Sequence, residues 1–282
     1  MLSSAKKLEL FEFAQDIRSE IMKMIGKAGL GHVGGSLSIA DLMAVLYGGQ
    51  LRYDPKQPRW DGRDRIVLSK GHAGPAMYAA LALKGFFPME WLDTLNQPPT
   101  NLPSHTDRTR TPGVDMTTGS LGQGASSAAG IAMAGKLRNK DYYTYLILGD
   151  GESEEGQVWE AAMFACAHKL DRLIAFVDFN EKQLDGTVGE IAGTVRFDQK
   201  FEAFGWNAIW VEEGNDVQAI WEAIDQAKAS KNDKPTSIIL HTVKGKGWIA
   251  AEESDYCHCI TINGDQLQDA LADFAAARGG RV

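Results

Sequence analysis

The chain has 282 residues, 44% hydrophobic and 23% charged, with 30 Gly and 9 Pro, which excludes a disordered or collagen-like polymer and allows a substantial buried core. Its formal net charge of −8 argues against a nucleic-acid role, since phosphate neutralisation needs a basic face. No stretch approaches the ~20 apolar residues of a membrane span, and the opening MLSSAKKLELFEFAQ has no hydrophobic signal core.

Leu10, Ala14, Ile17, Ile21 and Ile25 recur at helical spacing, so an amphipathic helix is expected over 5–27. GLGHVGGS breaks the pattern before a second helix over 39–48, and RIVLS (65–69) reads as a short buried strand followed by a helix over 74–84. Between 97 and 124 the chain is turn-rich, with Pro98, Pro99, Pro103 and Pro112; so long an irregular stretch usually carries function or moves. TYLILGD (144–150) and LIAFVDFN (173–180) are apolar strands separated by a helix over 155–169. WNAIWV (206–211) and TSIILHTV (236–243) follow, with a helix over 216–229 between them and a last helix over 264–277. Continuous apolar strands alternating with helices predict a single α/β domain, a mainly parallel sheet with helices on both faces.

In such sheets ligands bind outside the carboxyl ends of the strands. Asp150 closes one strand and Asn180 the next, and if those strands are neighbours their side-chain oxygens sit side by side. Hard oxygen donors suit Mg²⁺ or Ca²⁺, and Mg²⁺ commonly completes its shell with phosphate oxygens. Gly149 and Gly151 leave the backbone uncluttered, and the N-terminus of the following helix favours an anion there. The sum reads as a metal–diphosphate site; the alternative is a strand-end turn in which Asp150 only caps the helix.

Four of the six histidines, His32, His72, His105 and His258, lie in loops, the first three of them rich in Gly or Pro. Histidines so placed suit proton transfer or hydrogen bonding to hydroxyls. His168 and His241 read as packing residues, and Trp206, Trp210 and Trp221 as core and interface. Cys257 and Cys259 flank His258, but no second Cys pair completes a zinc site, and with Cys166 they are too few for a disulfide scaffold. A reducing, cytoplasmic setting is the simplest reading. GSLGQG (119–124) follows no strand of useful length, which argues against a dinucleotide fingerprint.

Gly-Asp-Gly with Asn180 thirty positions after Asp150 resembles the metal–diphosphate motif of thiamine-diphosphate enzymes. GHVGGSLSIADLM, DRIVLSKGHAGPAMYAAL, PGVDMTTGSLGQG and GDGESEEGQVWEA resemble transketolase, in family order from about residue 10 to about 260. The likeness is to the amino-terminal, diphosphate-binding domain. It implies the thiamine-diphosphate-binding fold, thiamine diphosphate as cofactor, and Mg²⁺, Ca²⁺ or Mn²⁺ as metal. By position it implies Asp150, Asn180 and the Lys182 carbonyl as metal ligands, with His72 and Gly151 at the diphosphate. Gly119, Ser120, Leu121, Leu184 and Glu155 would lie against the cofactor, and Glu155 and Glu160 would form an acidic pair at a subunit interface. His32, His105 and His258 would line the substrate channel.

The reaction so implied moves a two-carbon ketol unit from a ketose to an aldose. In the family, a glutamate of the next domain activates the cofactor, and that domain also supplies groups for the sugar phosphate. The chain has no room for these parts, so the resemblance implies one half of a split transketolase, inactive alone and paired with a C-terminal subunit in a heterotetramer. Two features depart from the family: Cys259 stands where a Gly usually follows the last channel histidine, and the loop after His105 is one residue longer. The alternatives are a subunit like 1-deoxyxylulose-5-phosphate synthase, an E1-type oxoacid dehydrogenase subunit, and a non-catalytic regulatory subunit. The SKGHAGP and TTGSLGQG combination argues against the first, different motifs around the histidines against the second, and the retained channel histidines against the third.

Overall fold

In the computed structural model, which describes residues 2–193 and 196–279, helix α1 (Ser4–Ala28) begins where the Ser3 hydroxyl accepts the Lys6 N–H. It ends at Gly29, whose left-handed backbone returns its N–H to the Ile25 carbonyl at 2.8 Å. Strand β1 (Leu30–Gly31) and a short helix α2 (Gly34–Leu37) occupy the Gly-rich stretch that reads as a break. Helix α3 (Ala40–Val45) runs on into a π-type turn over Leu46–Gln50. Strand β2 (Arg65–Leu68), helix α4 (Gly74–Leu83) and helix α5 (Gln123–Leu137) complete the first half.

The second half alternates as expected. Strand β3 (Thr144–Gly149) leads through a 3₁₀ turn (Gly151–Glu154) to helix α6 (Gly156–Ala167), then strand β4 (Leu173–Phe179). Short helices α7 (Val188–Ala192) and α8 (Phe197–Ala203) precede strand β5 (Asn207–Val211), helix α9 (Val217–Ala229) and strand β6 (Thr236–His241). Helix α10 (Ile249–Glu252), strand β7 (Ile260–Thr261) and helix α11 (Gly264–Gly279) follow. Among the described residues no helix is long and apolar enough to cross a membrane.

The main sheet has the order β2-β3-β4-β6-β5 and all its pairs are parallel. Successive side chains of a strand point to opposite faces, and both faces are filled. Ile66, Leu68, Tyr145, Ile147, Ile174, Phe176, Ile238 and Leu240 pack with residues of α1, α3, α4 and α9. Val67, Leu146, Leu148, Ala175, Val177 and Ile239 pack with residues of α5, α6 and α8 on the other side. This is why these strands are uninterrupted apolar runs. β1 and β7 pair antiparallel, Gly31 opposite Ile260, and so draw His32 and His258 to one place.

Helices α2, α5, α7, α8 and α10 and the β1–β7 pair are not among the elements expected from sequence. Helix α5 is the largest omission, because QGASSAAGIAMAGKL carries no apolar stripe of helical period. Its small residues serve packing instead: a Cβ on Gly124 would fall 2.4 Å from the Ser69 hydroxyl, and one on Gly135 2.8 Å from the Tyr142 ring.

Candidate active site

The β3–β4 register sets Gly149 opposite Asp178, so the chain leaves the sheet with Asp150 beside Asn180. Asp150 is buried; one carboxylate oxygen accepts the Gly151 N–H at 2.8 Å and the other the Asn180 N–H at 2.9 Å. It therefore braces its own turn and clamps the neighbouring strand end. Burial, and next the charge of Asp178, push its carboxyl up to about 7. The Asn180 amide donates to Asp178 at 3.0 Å, its oxygen accepts the Lys182 N–H at 3.3 Å, and the Lys182 carbonyl accepts the Lys244 ammonium at 2.6 Å.

This edge offers a carboxylate, a side-chain amide oxygen and a backbone carbonyl, all hard donors that fit Mg²⁺ or Ca²⁺. The Lys182 carbonyl keeps a second lone pair beyond the one given to Lys244. Among the described residues no group of three His, Cys, Asp or Glu could hold a metal. A cation here would take its other ligands from phosphate oxygens and water.

Two lysines lie under the same edge. Lys70 is buried and its ammonium donates to Asp178 at 2.5 Å and to the Gly35 carbonyl at 2.8 Å. Asp178 also accepts from the Ser38 and Thr242 hydroxyls. Against the cost of burial, the Lys70 charge and these hydrogen bonds hold the Asp178 carboxyl below its ordinary range. Lys244 is buried too, and burial lowers its pKa. Glu152 fixes the floor: one oxygen accepts from the Ser69 hydroxyl at 2.6 Å and the Gly122 N–H at 2.9 Å, the other from the Gly149 N–H at 3.0 Å.

Facing this edge, four histidines from four loops form one cluster. His32 has its ring centroid 5.4 Å from His72, 5.7 Å from His105 and 5.4 Å from His258; His72 and His258 are 5.0 Å apart. Burial leads in lowering all four pKa values. His72 falls to about 2, helped by the Lys70 charge, and His258 to about 4, helped by Lys244. Neutral imidazoles each carry one donor and one acceptor nitrogen. The Nδ1 of His258 is buried without a hydrogen-bond partner, so this ring retains unused bonding capacity.

These groups line one open cleft of about 500 Å³. Of the residues singled out from sequence it gathers His32, His72, His105, His258, Gly119, Leu121, Asp150, Gly151, Glu155, Asn180, Lys182 and Leu184. Ser120 sits between two lining residues without lining the cleft itself, and Glu160 is exposed on α6 beyond it. Leu184 and Leu121 are exposed, at 66% and 39%. Lys70, Lys244, Glu152 and Asp178 also line the cleft, and sequence reasoning missed them. The available signal was position: Lys70 stands two residues before His72, and Lys244 three after the end of β6.

The two histidines set aside differ from each other. His168 caps α6 with its ring 4.3 Å from Phe164. His241 ends β6 and packs its ring 5.6 Å from Phe179 and 6.0 Å from Trp210, with Nδ1 also 3.2 Å from Glu212 and Nε2 3.9 Å from Glu181. Trp206 is buried, whereas Trp210 and Trp221 are half-buried.

Residues 11–275 match the family described as transketolase, thiamine diphosphate binding domain. The chain is 49% identical over 271 residues to the 6-deoxy-6-sulfo-D-fructose transketolase subunit SqwG of Clostridium sp. (strain MSTE9), covering 96% of this chain and 98% of that one. It is 36% identical over 260 residues to an apulose-4-phosphate transketolase subunit of Phocaeicola vulgatus, covering 92% and 91%. The crystal structure of transketolase from Campylobacter jejuni superposes with a TM-score of 0.88 at 33% identity, covering 97% of this chain but 43% of that one. The match thus spans nearly all of two proteins named as subunits and less than half of a transketolase of greater length. With the strand-end acid, the adjacent amide and the histidine cluster in place, the chain belongs to the transketolase family, as its thiamine diphosphate-binding domain.

Proposed function

We propose that this chain is the N-terminal subunit of a two-subunit transketolase, binding thiamine diphosphate with a divalent cation, Mg²⁺ first among candidates, across the β3–β4 edge. The observation that carries the reading is Asp150 beside Asn180 at one strand edge, over two buried lysines and opposite four clustered histidines. Asp150, Asn180 and the Lys182 carbonyl would hold the metal. His72, Gly151 and Lys244 would hold the diphosphate, the lysine by charge. Gly119, Ser120, Leu121, Leu184 and Glu155 would flank the rings. Thiamine diphosphate, when bound, supplies the carbanion chemistry that cleaves and re-forms the carbon–carbon bond.

The work left to this chain's own residues is binding, orientation and proton handling. His32, His105 and His258 are neutral near pH 7, so each donates from one nitrogen to a sugar oxygen and accepts a hydroxyl proton at the other. The two relatives named above are called after substrates with an anionic tail, a sulfonate in one and a phosphate in the other. A ketose donor of that class, with an aldose acceptor, is the substrate we assign.

We assign activation of the cofactor and recognition of the sugar's anionic tail to a C-terminal subunit, in a heterotetramer with two copies of each. In support, Leu137, Met163 and Phe164 on α5 and α6 are 70%, 53% and 41% exposed, near exposed Glu160, an apolar surface suited to burial against another chain. Cys166, Cys257 and Cys259 are free thiols, which suits a reducing, cytoplasmic setting.

Calorimetry on the assembled complex tests the site. Asp150→Ala should weaken Mg²⁺-dependent binding of thiamine diphosphate by about 100-fold or more, since it removes a charged ligand. Unchanged affinity would remove the metal assignment. Ketol transfer should need both subunits and fall steeply in His32→Ala.

A further inference from the structure

A second cleft, of about 730 Å³, shares no lining residue with the first. Its walls are the 57–63 and 108–115 loops, and they bring Arg59, Arg63, Arg108 and Arg110 together with Trp60. The floor is neutralised: Arg63 is ion-paired with buried Asp115 and donates to the Trp60 carbonyl at 2.8 Å, while Asp115 also accepts the Ile66 N–H at 2.9 Å. These bonds tie the two loops together, so the cleft is preformed. Arg110 donates to the Thr100 carbonyl at 3.2 Å and lies 3.5 Å from Asp107. Arg59 and Arg108 have no ion pair among the described residues.

Trp60 is 41% exposed toward this cleft. Its ring is seated on Gly62, where an added Cβ would lie 2.6 Å from the indole. Two arginines without an ion pair thus line the same cleft as a half-exposed indole, in a chain whose net charge is −8. Guanidinium forks match tetrahedral oxyanions through paired N–H donors. An indole face takes the C–H face of a sugar ring, and the volume is that of a small-ligand site.

We infer that this cleft is an accessory binding site for a monosaccharide carrying a phosphate or sulfate-type oxyanion, held by Arg59 and Arg108 with its ring on Trp60. The inference does not depend on the catalytic reading above. Its place in the fold gives it a consequence. The loop over 107–117 is pinched at its base, where the Thr118 N–H meets the Thr106 carbonyl at 3.1 Å and their hydroxyls lie 2.8 Å apart. The next residues outward are His105 and Gly119, both in the first cleft. An occupant of the arginine cleft therefore steadies the loop whose base adjoins His105.

The test is calorimetric titration of the full chain, with thiamine diphosphate and Mg²⁺ in excess, using glucose 6-phosphate, glucose 6-sulfate, glucose and inorganic phosphate. The expected result is one site per chain for at least one of the two charged sugars, none for glucose, and weaker binding of inorganic phosphate. Which charged sugar binds better separates a dianionic from a monoanionic ligand. Arg59→Gln/Arg108→Gln and, separately, Trp60→Ala should each weaken binding about tenfold or more; all three side chains are exposed, and circular dichroism checks that the variants fold. The proposal is overturned if neither charged sugar binds, if the variants bind like the parent, or if inorganic phosphate binds equally well and Trp60→Ala changes nothing. It is also overturned if the double arginine variant weakens only assembly with the partner subunit, which would make the cleft a protein interface.

Discussion

The Lys70 ammonium lies 2.5 Å from a carboxylate oxygen of Asp178, and both side chains are almost wholly removed from solvent. Burying two charges is costly, and their attraction repays the cost only where the remaining donors and acceptors are also satisfied. Here most are: Lys70 reaches Gly35, and Asp178 collects Ser38, Thr242 and Asn180. The pair thus joins the loop after His32, the turn before His72, the end of β4 and the segment after β6. It holds the cleft's walls at fixed spacing.

Removing both members should therefore cost less than the two single removals added together. Lys70→Met or Asp178→Leu alone should lower unfolding free energy by about 3–5 kcal/mol, because each strands an unpaired buried charge. In a double-mutant cycle by urea denaturation, Lys70→Met/Asp178→Leu should lose clearly less than the sum. Additive losses would show that the two charges do not stabilise one another.

Glu152 accepts three hydrogen bonds with both its oxygens and donates none. Glu152→Gln puts an amide N–H₂ where at least one N–H or O–H donor already points. The expected loss is about 1–3 kcal/mol of stability, read as a lower thermal midpoint. A midpoint equal to that of the parent chain would contradict this bonding pattern.

Gly71 touches backbone rather than side chain: an added Cβ would fall 2.8 Å from the Gly119 nitrogen and 2.8 Å from the Thr118 carbonyl carbon. Gly119 itself has φ of 150° and sits against His105, a conformation that side chains resist. Gly71→Ala should push the His72 turn and the Gly119 loop apart, costing about 1–3 kcal/mol and weakening thiamine diphosphate binding as well. Calorimetry and thermal melting on the same sample would check both; loss of stability with cofactor affinity intact would mean that the loop spacing does not matter to the ligand.

Burial, followed by the nearby lysines, lowers His72 to about 2 and His258 to about 4. Both folded values lie below the unfolded value near 6.5, so between them the unfolded chain binds more protons. The stability these rings contribute is complete above about pH 6.5 and is lost as pH falls, through about 4 for His258 and on toward about 2 for His72. Asp150, raised to about 7, binds its proton more readily in the folded chain and so works the other way over the same range; the reading is therefore the difference between chains, and from about pH 7 to about pH 4.5 the midpoints of His72→Gln should decline less steeply than those of the parent. Equal slopes would exclude His72 as a source of the acid sensitivity.

Much of this is legible in the residues. Runs such as Leu146–Ile147–Leu148 and Ala175–Phe176–Val177 announce strands buried on both faces, and the helices α1 and α9 keep an apolar stripe. Helix α5 is not legible, because a helix that must lie against Ser69 and Tyr142 is made of Gly and Ala, which show no period. His241 reads as strand packing and does pack on Phe179 and Trp210, but its reach to Glu212 and Glu181 at the strand end is not written in the local pattern.

By itself the sequence determined the parallel α/β sheet, the Asp150–Asn180 pairing and the four loop histidines, because each is written in local pattern and short motif. Only the tertiary structure decided what lies beneath them. Lys70 meets Asp178 across 108 positions and Lys244 meets the Lys182 carbonyl across 62, and neither contact leaves a periodic trace. A buried charge is tolerable only where distant groups converge on it, and that convergence exists only once the chain has folded.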